Sequence, residues 1–300
     1  MDITELRPPV EDGPWPPITH FPPLDYPPLQ RARSWTGLTY ALVDGYRPLV
    51  LDVHVPEGVE AAPVVLWVHG GGWVSGDRRH VPLQWGQHRM FQEMIDAGLA
   101  VATADHRLLG EAPVEAAVHD LVAAIRYLRC YGEALRIDPD RVGLLGDSAG
   151  AHLAAMAGLV GSHPEPDPTL LGDLGVGGGR ADVRAIVWWY GASDLTRTPA
   201  LMEMMWPGES GQRRLNLARR LSPVTHLRSD SPPLLLMHGD RDSVAPVQEA
   251  QVFHAAAQAA GALSELVIVP GAEHVFLGAE IEPLWGHAIA FLRTHLADQQ

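Results

Sequence analysis

A serine flanked by glycines is the first candidate for chemistry in this chain. Ser148 stands in the run Gly-Asp-Ser-Ala-Gly at 146–150, after the apolar stretch 142–145 and before a helix-prone segment. A glycine two residues away on either side permits the sharp strand-to-helix turn that would hold the hydroxyl out at the carboxyl end of a sheet. An ordinary helix N-cap serine is the alternative interpretation. The pattern indicates a nucleophile whose partners must come from elsewhere.

A serine hydroxyl is a weak nucleophile, so a histidine must take its proton and an acid must orient that histidine. His274 is the predicted base because it follows the last predicted strand within the glycine-containing loop 270–274. Asp242 is the predicted acid because it lies farther past its strand than Asp240, which would brace the loop or pair with Arg241. Four other histidines lie in predicted helices and are predicted to be structural: His152, His254, His287 and His295. His238 follows a strand but lies too near the acid in sequence to be the predicted base.

Acyl transfer also produces a negatively charged tetrahedral oxygen, which needs preorganised hydrogen-bond donors. The run His-Gly-Gly-Gly-Trp at 69–73 follows the apolar strand 63–68. Gly71 and Gly72 can present backbone N–H groups without side chains in the way, and the N–H of Ala149 joins them at the start of the serine helix. A plain flexible turn is the alternative, but a glycine run after a strand is the context that an oxyanion hole requires.

Strands and helices alternate along the chain, which indicates a mostly parallel sheet with helices on both faces. An antiparallel hairpin is predicted around Asp44-Gly45. Residues just beyond the carboxyl ends of parallel strands converge on one edge, where ligands bind. Asp105 lies at this edge too and is predicted to be structural, paired with Arg107. The predicted strands are 39–43, 49–55, 63–68, 99–104, 142–145, 183–190, 234–237 and 266–269, and the predicted helices are 85–97, 114–128, 149–161, 247–260 and 283–296.

The chain is predicted to form one large domain, residues 35–300, preceded by a proline-rich arm, residues 1–34. Nine prolines between residues 8 and 28 are incompatible with a helix or an interior strand. The aromatic residues of the arm, Trp15, Phe21 and Tyr26, suggest that it lies against the domain. The excursion 195–230 is predicted to be either a small lid or a connecting helical segment packed on the core.

Composition excludes several function classes. The formal net charge of −14 would repel phosphate backbones, so nucleic acid is not an expected partner. No apolar run approaches the roughly 20 residues needed to span a membrane. The N-terminus lacks the pattern of a secretory signal, so a cytoplasmic location is expected. The single cysteine, Cys130, allows no internal disulfide, and the histidines lack metal-ligand spacing, so no metal site is expected.

The combined motifs resemble those of α/β-hydrolase-fold carboxylesterases, close to the hormone-sensitive-lipase-like and feruloyl/acetyl-xylan-esterase-like branches. The resemblance covers about residues 35–297 and rests on four runs: 69–73, 146–150, 238–246 and 271–274. It implies the α/β-hydrolase fold, a structural role for His69 in the oxyanion loop, and no cofactor. His106 stands where these relatives commonly have tyrosine, and the proline-rich arm lacks the helices of a large N-terminal cap.

The leading functional hypothesis is a serine carboxylesterase that hydrolyses small, short-acyl or aromatic esters through an acyl-enzyme intermediate. Pocket walls are expected from Trp73, Met205, Trp206 and Phe276. An amidase of the arylformamidase type is the alternative within hydrolases, and a true lipase is disfavoured without a long apolar lid. A catalytically inactive binding protein of the hydrolase fold is the alternative of another class. The expected partner is a small ester, and a homo-oligomer is left open.

Overall fold

The computed structural model describes residues 28–82, 85–86 and 89–298. Within them, eight strands form one sheet: β1 Ala32–Ala41, β2 Leu49–Pro56, β3 Ala62–Val68, β4 Ala100–Ala104, β5 Ile137–Asp147, β6 Ala185–Trp189, β7 Leu234–Gly239 and β8 Ser264–Val269. Their spatial order is β1-β2-β4-β3-β5-β6-β7-β8. The pairs from β4 to β8 are parallel, whereas β2 is antiparallel to both β1 and β4. The predicted mostly parallel sheet is confirmed.

The antiparallel edge differs in its bounds from the prediction. β1 begins at Ala32, seven residues before the predicted start and inside the range assigned to the arm. It ends at Ala41, and the connection to β2 turns where the N–H of Tyr46 donates to the carbonyl of Val43 at 3.0 Å. Gly45 has φ +74°, which explains why a glycine occupies this turn. The arm's aromatic residues, Trp15, Phe21 and Tyr26, lie outside the described residues.

Helices cover both faces of the sheet because successive strand residues point to opposite sides. The helices in the described residues are α1 Arg89–Asp96, α2 Val114–Cys130, α3 Gly132–Leu135, α4 Ala149–Gly161, α5 Pro168–Leu171, α6 Pro199–Met205, α7 Gly211–Arg220, α8 Gln248–Ala260 and α9 Glu282–His295. In β3, Val64 and Leu66 join the core beneath α2, α4 and α8, whereas Val65 and Trp67 join the core beneath α1 and α9. In this part of the chain, none of the helices is long and apolar enough to cross a membrane.

The excursion 195–230 carries α6 and α7 between two short 3₁₀ turns. Its side chains Met205, Trp206, Ala218 and Leu221 are buried in the core that also contains Trp188 of β6. This packing is what the connecting-segment alternative predicts. A lid movement of the excursion stays a prediction.

The predicted pairing of Asp105 with Arg107 is wrong. Arg107 turns instead to Asp120 on α2, with its Nη2 2.6 Å from Oδ1 and its backbone N 2.7 Å from Oδ2. The carboxylate of Asp105 is bound by Arg47 and Arg78, whose Nη1 atoms lie 3.3 and 3.4 Å from its Oδ2. Asp105 therefore connects the β1–β2 edge with the segment after the glycine run.

The Arg107–Asp120 pair predicts a large loss of stability when its acid is removed. The Asp120 side chain is fully buried and that of Arg107 is 15% exposed, so Asp120→Ala leaves a largely buried guanidinium without its carboxylate partner. We expect the free energy of unfolding to fall by about 3–5 kcal/mol, measured by urea denaturation. The control is Arg180→Ala, which removes an exposed cation and should cost less than about 1 kcal/mol. Similar small losses in both variants would contradict the prediction.

Candidate active site

Ser148 occupies a strained turn between β5 and α4, with φ 52° and ψ −121°. A Cβ on Gly146 would lie 2.5 Å from the carbonyl oxygen of Gly150, and one on Gly150 would lie 2.1 Å from that of Val68. Only glycine fits these positions. The Ser148 N–H donates to the carbonyl of Trp189 at 2.9 Å, and its side chain makes no capping hydrogen bond to α4. The N-cap alternative is therefore not supported.

The three residues predicted from separate strand ends meet here. His274 Nε2 lies 3.0 Å from Ser148 Oγ, and His274 Nδ1 lies 2.8 Å from Asp242 Oδ2. These distances suit proton transfer from the serine hydroxyl and orientation of the imidazole by the acid. Asp240 does not take part in this series of hydrogen bonds. Its Oδ1 accepts the backbone N–H of Gly271 at 2.7 Å, so it braces the loop.

Asp242 is held by more donors than the triad requires. Its Oδ1 accepts the N–H groups of Val244 at 2.9 Å and Ala245 at 2.8 Å. Its Oδ2 is contacted by both histidines, with His274 Nδ1 at 2.8 Å and His238 Nε2 at 3.2 Å. Burial raises the pKa of Asp242, but the hydrogen bonds from the two histidines and the backbone outweigh it and hold the pKa well below its usual range. The carboxyl group of Asp242 is therefore ionised at neutral pH, where His274 is to act as a base.

The loop that carries His274 is supported from the core side. The imidazole is 6% exposed, and the ring of Tyr190 packs edge-on against it with 4.9 Å between centroids. Phe276 packs on Tyr190 at 4.7 Å and on Trp189 at 5.7 Å. Phe276, predicted as a pocket wall, thus buttresses the base through Tyr190.

The glycine run forms a tight turn beside the nucleophile. Gly71, Gly72 and Trp73 have φ values of 113°, 62° and 62°, and a Cβ on Gly71 would lie 2.2 Å from the carbonyl oxygen of Ser75. Within the described residues, the N–H groups of Gly71, Gly72 and Ala149 donate to no protein acceptor. Three unpaired donors at this edge are what a developing oxyanion needs.

Asp147, which precedes Ser148, anchors the glycine run 69–73, the oxyanion loop. Asp147 Oδ1 accepts the N–H of Gly70 at 2.6 Å, and the residue is 2% exposed. Burial raises the pKa of Asp147 to about 7, although the hydrogen bond from Gly70 opposes the shift. His69 donates from Nδ1 to the carbonyl of Gly70 at 2.8 Å and stacks on His106 with 4.2 Å between rings. Sequence reasoning did not assign Asp147 a role.

His152 ties three parts of the site together. Its Nδ1 accepts the indole N–H of Trp73 at 3.2 Å, and its Nε2 donates to the carbonyl of Leu221 at 2.8 Å. Burial lowers the pKa of His152 to about 4, so the ring stays neutral at neutral pH. Trp73 therefore holds the oxyanion loop to α4. With Met205 and Trp206 in the core, the structure places these three predicted wall residues in packing roles, and their contact with substrate stays a prediction.

Among the described residues, no group of three or more histidine, cysteine or acidic side chains converges as metal ligands would. The fold and the arrangement of Ser148, His274 and Asp242 define an α/β hydrolase. The BD-FAE family matches residues 51–257, and the chain belongs to this family.

Curated relatives carry esterase names. Esterase LipQ of Mycobacterium tuberculosis is 29% identical over 223 residues, which cover 72% of this chain and 50% of LipQ. Isoprenylcysteine alpha-carbonyl methylesterase ICME of Arabidopsis thaliana is 30% identical over 250 residues, which cover 79% of this chain and 56% of ICME. The chain spans about half the length of the curated relatives it matches.

Two solved structures share the fold over nearly their whole length. A truncated carbohydrate esterase from gut microbiota superposes with a TM-score of 0.79 at 23% identity, covering 91% of this chain and 99% of that chain. Thermogutta terrifontis esterase 2, in the form phosphoramylated by tabun, has a TM-score of 0.69 at 26% identity and covers 91% and 98%. The predicted α/β-hydrolase fold is confirmed.

The buried Asp147 predicts a specific pH dependence of stability. Its pKa is raised from 3.8 to about 7 in the folded protein, so the unfolded chain releases this proton first and stability falls as pH rises between the two values. Asp147→Asn removes the titration and keeps an oxygen that can accept from Gly70. We expect the variant's free energy of unfolding, relative to wild type, to increase by about 3 kcal/mol from pH 4.5 to 7.5 in urea titrations. A difference independent of pH would contradict this assignment.

Proposed function

We propose that this protein is a serine carboxylesterase with Ser148 as nucleophile, His274 as base and Asp242 as the orienting acid. The observation that carries the proposal is the continuous chain of short contacts from Ser148 Oγ through His274 to Asp242. Unpaired backbone donors beside it supply the second requirement of acyl transfer. The esterase names of the curated relatives support the same reaction class.

The geometry gives each group a step. His274 Nε2 takes the proton of Ser148 as Oγ attacks the ester carbonyl carbon, and the N–H groups of the oxyanion loop and of Ala149 stabilise the negative oxygen. The tetrahedral intermediate collapses, the C–O bond to the alcohol breaks, and the imidazolium of His274 protonates the leaving alcohol. Water then gives a proton to His274 as its oxygen attacks the carbonyl carbon of the acyl-enzyme. The second tetrahedral intermediate collapses, the bond between the acyl carbon and Ser148 Oγ breaks, and His274 returns the proton to Oγ as the carboxylic acid leaves. Asp242 stabilises the imidazolium during both halves of the reaction.

We further propose short-acyl esters as the substrate class. Thermogutta terrifontis Est2, 26% identical and with a TM-score of 0.69, has a propionate-bound form. The sequence-based expectation of small, short-acyl or aromatic esters agrees with a ligand of that size. Amides share the same first attack, so the reaction class must be tested with both bond types.

Removing the nucleophile tests the proposal directly. Ser148→Ala should lower kcat/KM for p-nitrophenyl acetate by roughly 10⁴-fold or more and abolish labelling by a fluorophosphonate probe, because no hydroxyl remains to attack. The control Ser264→Ala removes a hydroxyl that is hydrogen-bonded to His254. This variant should keep both the hydrolysis of p-nitrophenyl acetate and the labelling by the probe.

The outcomes separate the alternatives. Ester turnover retained by the Ser148→Ala variant would refute the nucleophile assignment. A wild-type protein that hydrolyses no activated ester and resists the probe would be a binding protein of the hydrolase fold. Faster turnover of N-formylkynurenine than of p-nitrophenyl acetate would favour the amidase alternative.

Three loops that carry residues of the site also carry an exposed apolar side chain, which bears on the nature of the alcohol group. Val74, Val244 and Leu277 are 56%, 50% and 42% exposed. Val74 follows the oxyanion loop directly, the N–H of Val244 donates to Asp242, and the N–H of Leu277 donates to the carbonyl of His274. The glycine run, the loop of the acid and the loop of the base thus each present one apolar group to solvent. Together they support an ester whose leaving alcohol is apolar.

Polar substitution of these side chains should change specificity. We expect Val74→Ser, Val244→Ser and Leu277→Ser each to lower kcat/KM for 2-naphthyl acetate by about three- to tenfold, since apolar contact area is lost, with little change for methyl acetate. Leu42→Ser and Leu263→Ser are matched controls, because these side chains are 70% and 60% exposed on other parts of the protein. Equal effects on both esters, or effects in the controls, would oppose the proposed role.

A further inference from the structure

The catalytic acid is shared by two histidines, of which the proposed mechanism uses only His274. The second, His238, lies on β7 with a fully buried side chain. Its Nε2 lies 2.8 Å from the carbonyl oxygen of Ala245 and 3.2 Å from Asp242 Oδ2. Both of these atoms are acceptors when Asp242 is ionised, so Nε2 carries a proton and donates to both.

We propose that His238 is a positioning residue that fixes the side chain of Asp242 and limits the negative charge that this carboxylate presents to His274. This inference rests on the proposed serine hydrolase function. It assigns a role to a histidine that the sequence excluded only as the base, because it lies four residues from the acid.

The hydrogen bonds around Asp242 form a closed cycle that explains the positioning. His238 donates to the carbonyl of Ala245, and the N–H of Ala245 donates to Asp242 Oδ1. Asp242 Oδ2 in turn accepts from His238 Nε2, which closes the cycle. Rotation of the carboxylate about its Cβ–Cγ bond would break contacts on both oxygens. His274 therefore meets an acceptor whose orientation is already set before substrate binds.

A packing role alone does not explain this arrangement. A buried histidine that served only the loop would satisfy its Nε2–H with the carbonyl of Ala245. The second contact is to the same carboxylate oxygen that binds His274 Nδ1. Within the described residues, His238 Nδ1 is buried without a hydrogen-bond partner, so a second proton on this ring would have no acceptor. His238 thus acts as a neutral donor.

The electrostatic consequence has a definite sign. A donor on Oδ2 draws charge from the carboxylate, so the carboxylate holds the imidazolium of His274 less strongly than a carboxylate without that donor would. The groups that face His274 include Asp242, the hydroxyl of Ser148 and the ring of Tyr190. The neighbouring acid, Glu273, accepts from Ser243 N and Oγ at 3.0 and 2.9 Å. Loss of the His238 donor should make protonated His274 more stable.

The test compares His238→Asn and His238→Gln in the full chain, with p-nitrophenyl acetate as substrate. The amide nitrogen of glutamine can stand near the position of Nε2, whereas asparagine is one methylene shorter and cannot reach Asp242. We expect His238→Asn to lower kcat about tenfold with little change in KM, and to move the acidic limb of the kcat/KM profile upward by about 0.5–1 pH unit. His238→Gln should keep the wild-type limb and most of the activity.

The control is His254→Leu. It removes an imidazole of α8 that is hydrogen-bonded to Ser264 Oγ at 2.8 Å, and it should leave the acidic limb of the kcat/KM profile unchanged. An acidic limb at the wild-type position in His238→Asn, or the same shift in the asparagine and glutamine variants, would overturn the role of His238. If His238→Asn does not fold, His238→Gln decides alone. A folded, fully active His238→Gln whose acidic limb is shifted would also overturn the role of His238. Failure of the proposed function is distinct, because the wild type itself would then be inactive and unlabelled by the fluorophosphonate probe.

Discussion

The close approach of α4 to the end of β3 is the constraint on which the site depends. A Cβ on Gly150 would lie 2.1 Å from the carbonyl oxygen of Val68 and 2.4 Å from that of His69. Because the two backbones meet with no side chain between them, α4 starts against the oxyanion loop itself. The N–H of Ala149 and those of the glycine run therefore face the same edge, and the strained backbone of Ser148 persists because packing on both sides determines it.

Buried histidines then connect the loops that this contact brings together. His152 links the oxyanion loop, α4 and the end of α7, while His238 links the acid to its own loop. His69 stacks on His106 behind the glycine run. Burial lowers the pKa of His69, His106 and His152, so these rings stay neutral, each with a donor and an acceptor side. A neutral ring of fixed tautomer orients backbone without adding charge beside the nucleophile.

The fold and the positions of the triad could be predicted because their signals are local. Glycines spaced two residues from Ser148 mark a close backbone approach, and apolar runs mark strands whose carboxyl ends converge. Partners of charged groups could not be predicted in this way. Asp105 meets Arg47 and Arg78, and not Arg107, because the pairing of β1 with β2 and of β2 with β4 decides which side chains reach it.

The wall residues show a second limit of sequence reasoning. Trp73 and Phe276 stand in loops of the site, which suggested contact with substrate. Both have positive φ, 62° and 58°, a conformation that non-glycine residues seldom adopt, and both side chains pack against protein rings. Sequence spacing does not reveal a left-handed backbone at a tryptophan or a phenylalanine, so the direction of these side chains required the tertiary structure.

Two buried aspartates near Ser148 show how environment and not proximity assigns the acid. Asp147 adjoins Ser148 in sequence. Within the described part of the chain, its own backbone and the N–H of Gly70 are what stabilise its charge, and burial raises its pKa to about 7. Asp242 lies 94 positions away, but the hydrogen bonds from His238, His274 and the N–H of Ala245 outweigh its burial and hold its pKa well below the usual range. An imidazolium that forms during attack needs a partner that is already anionic. Asp242 meets that condition at neutral pH, whereas Asp147 is suited to anchoring Gly70.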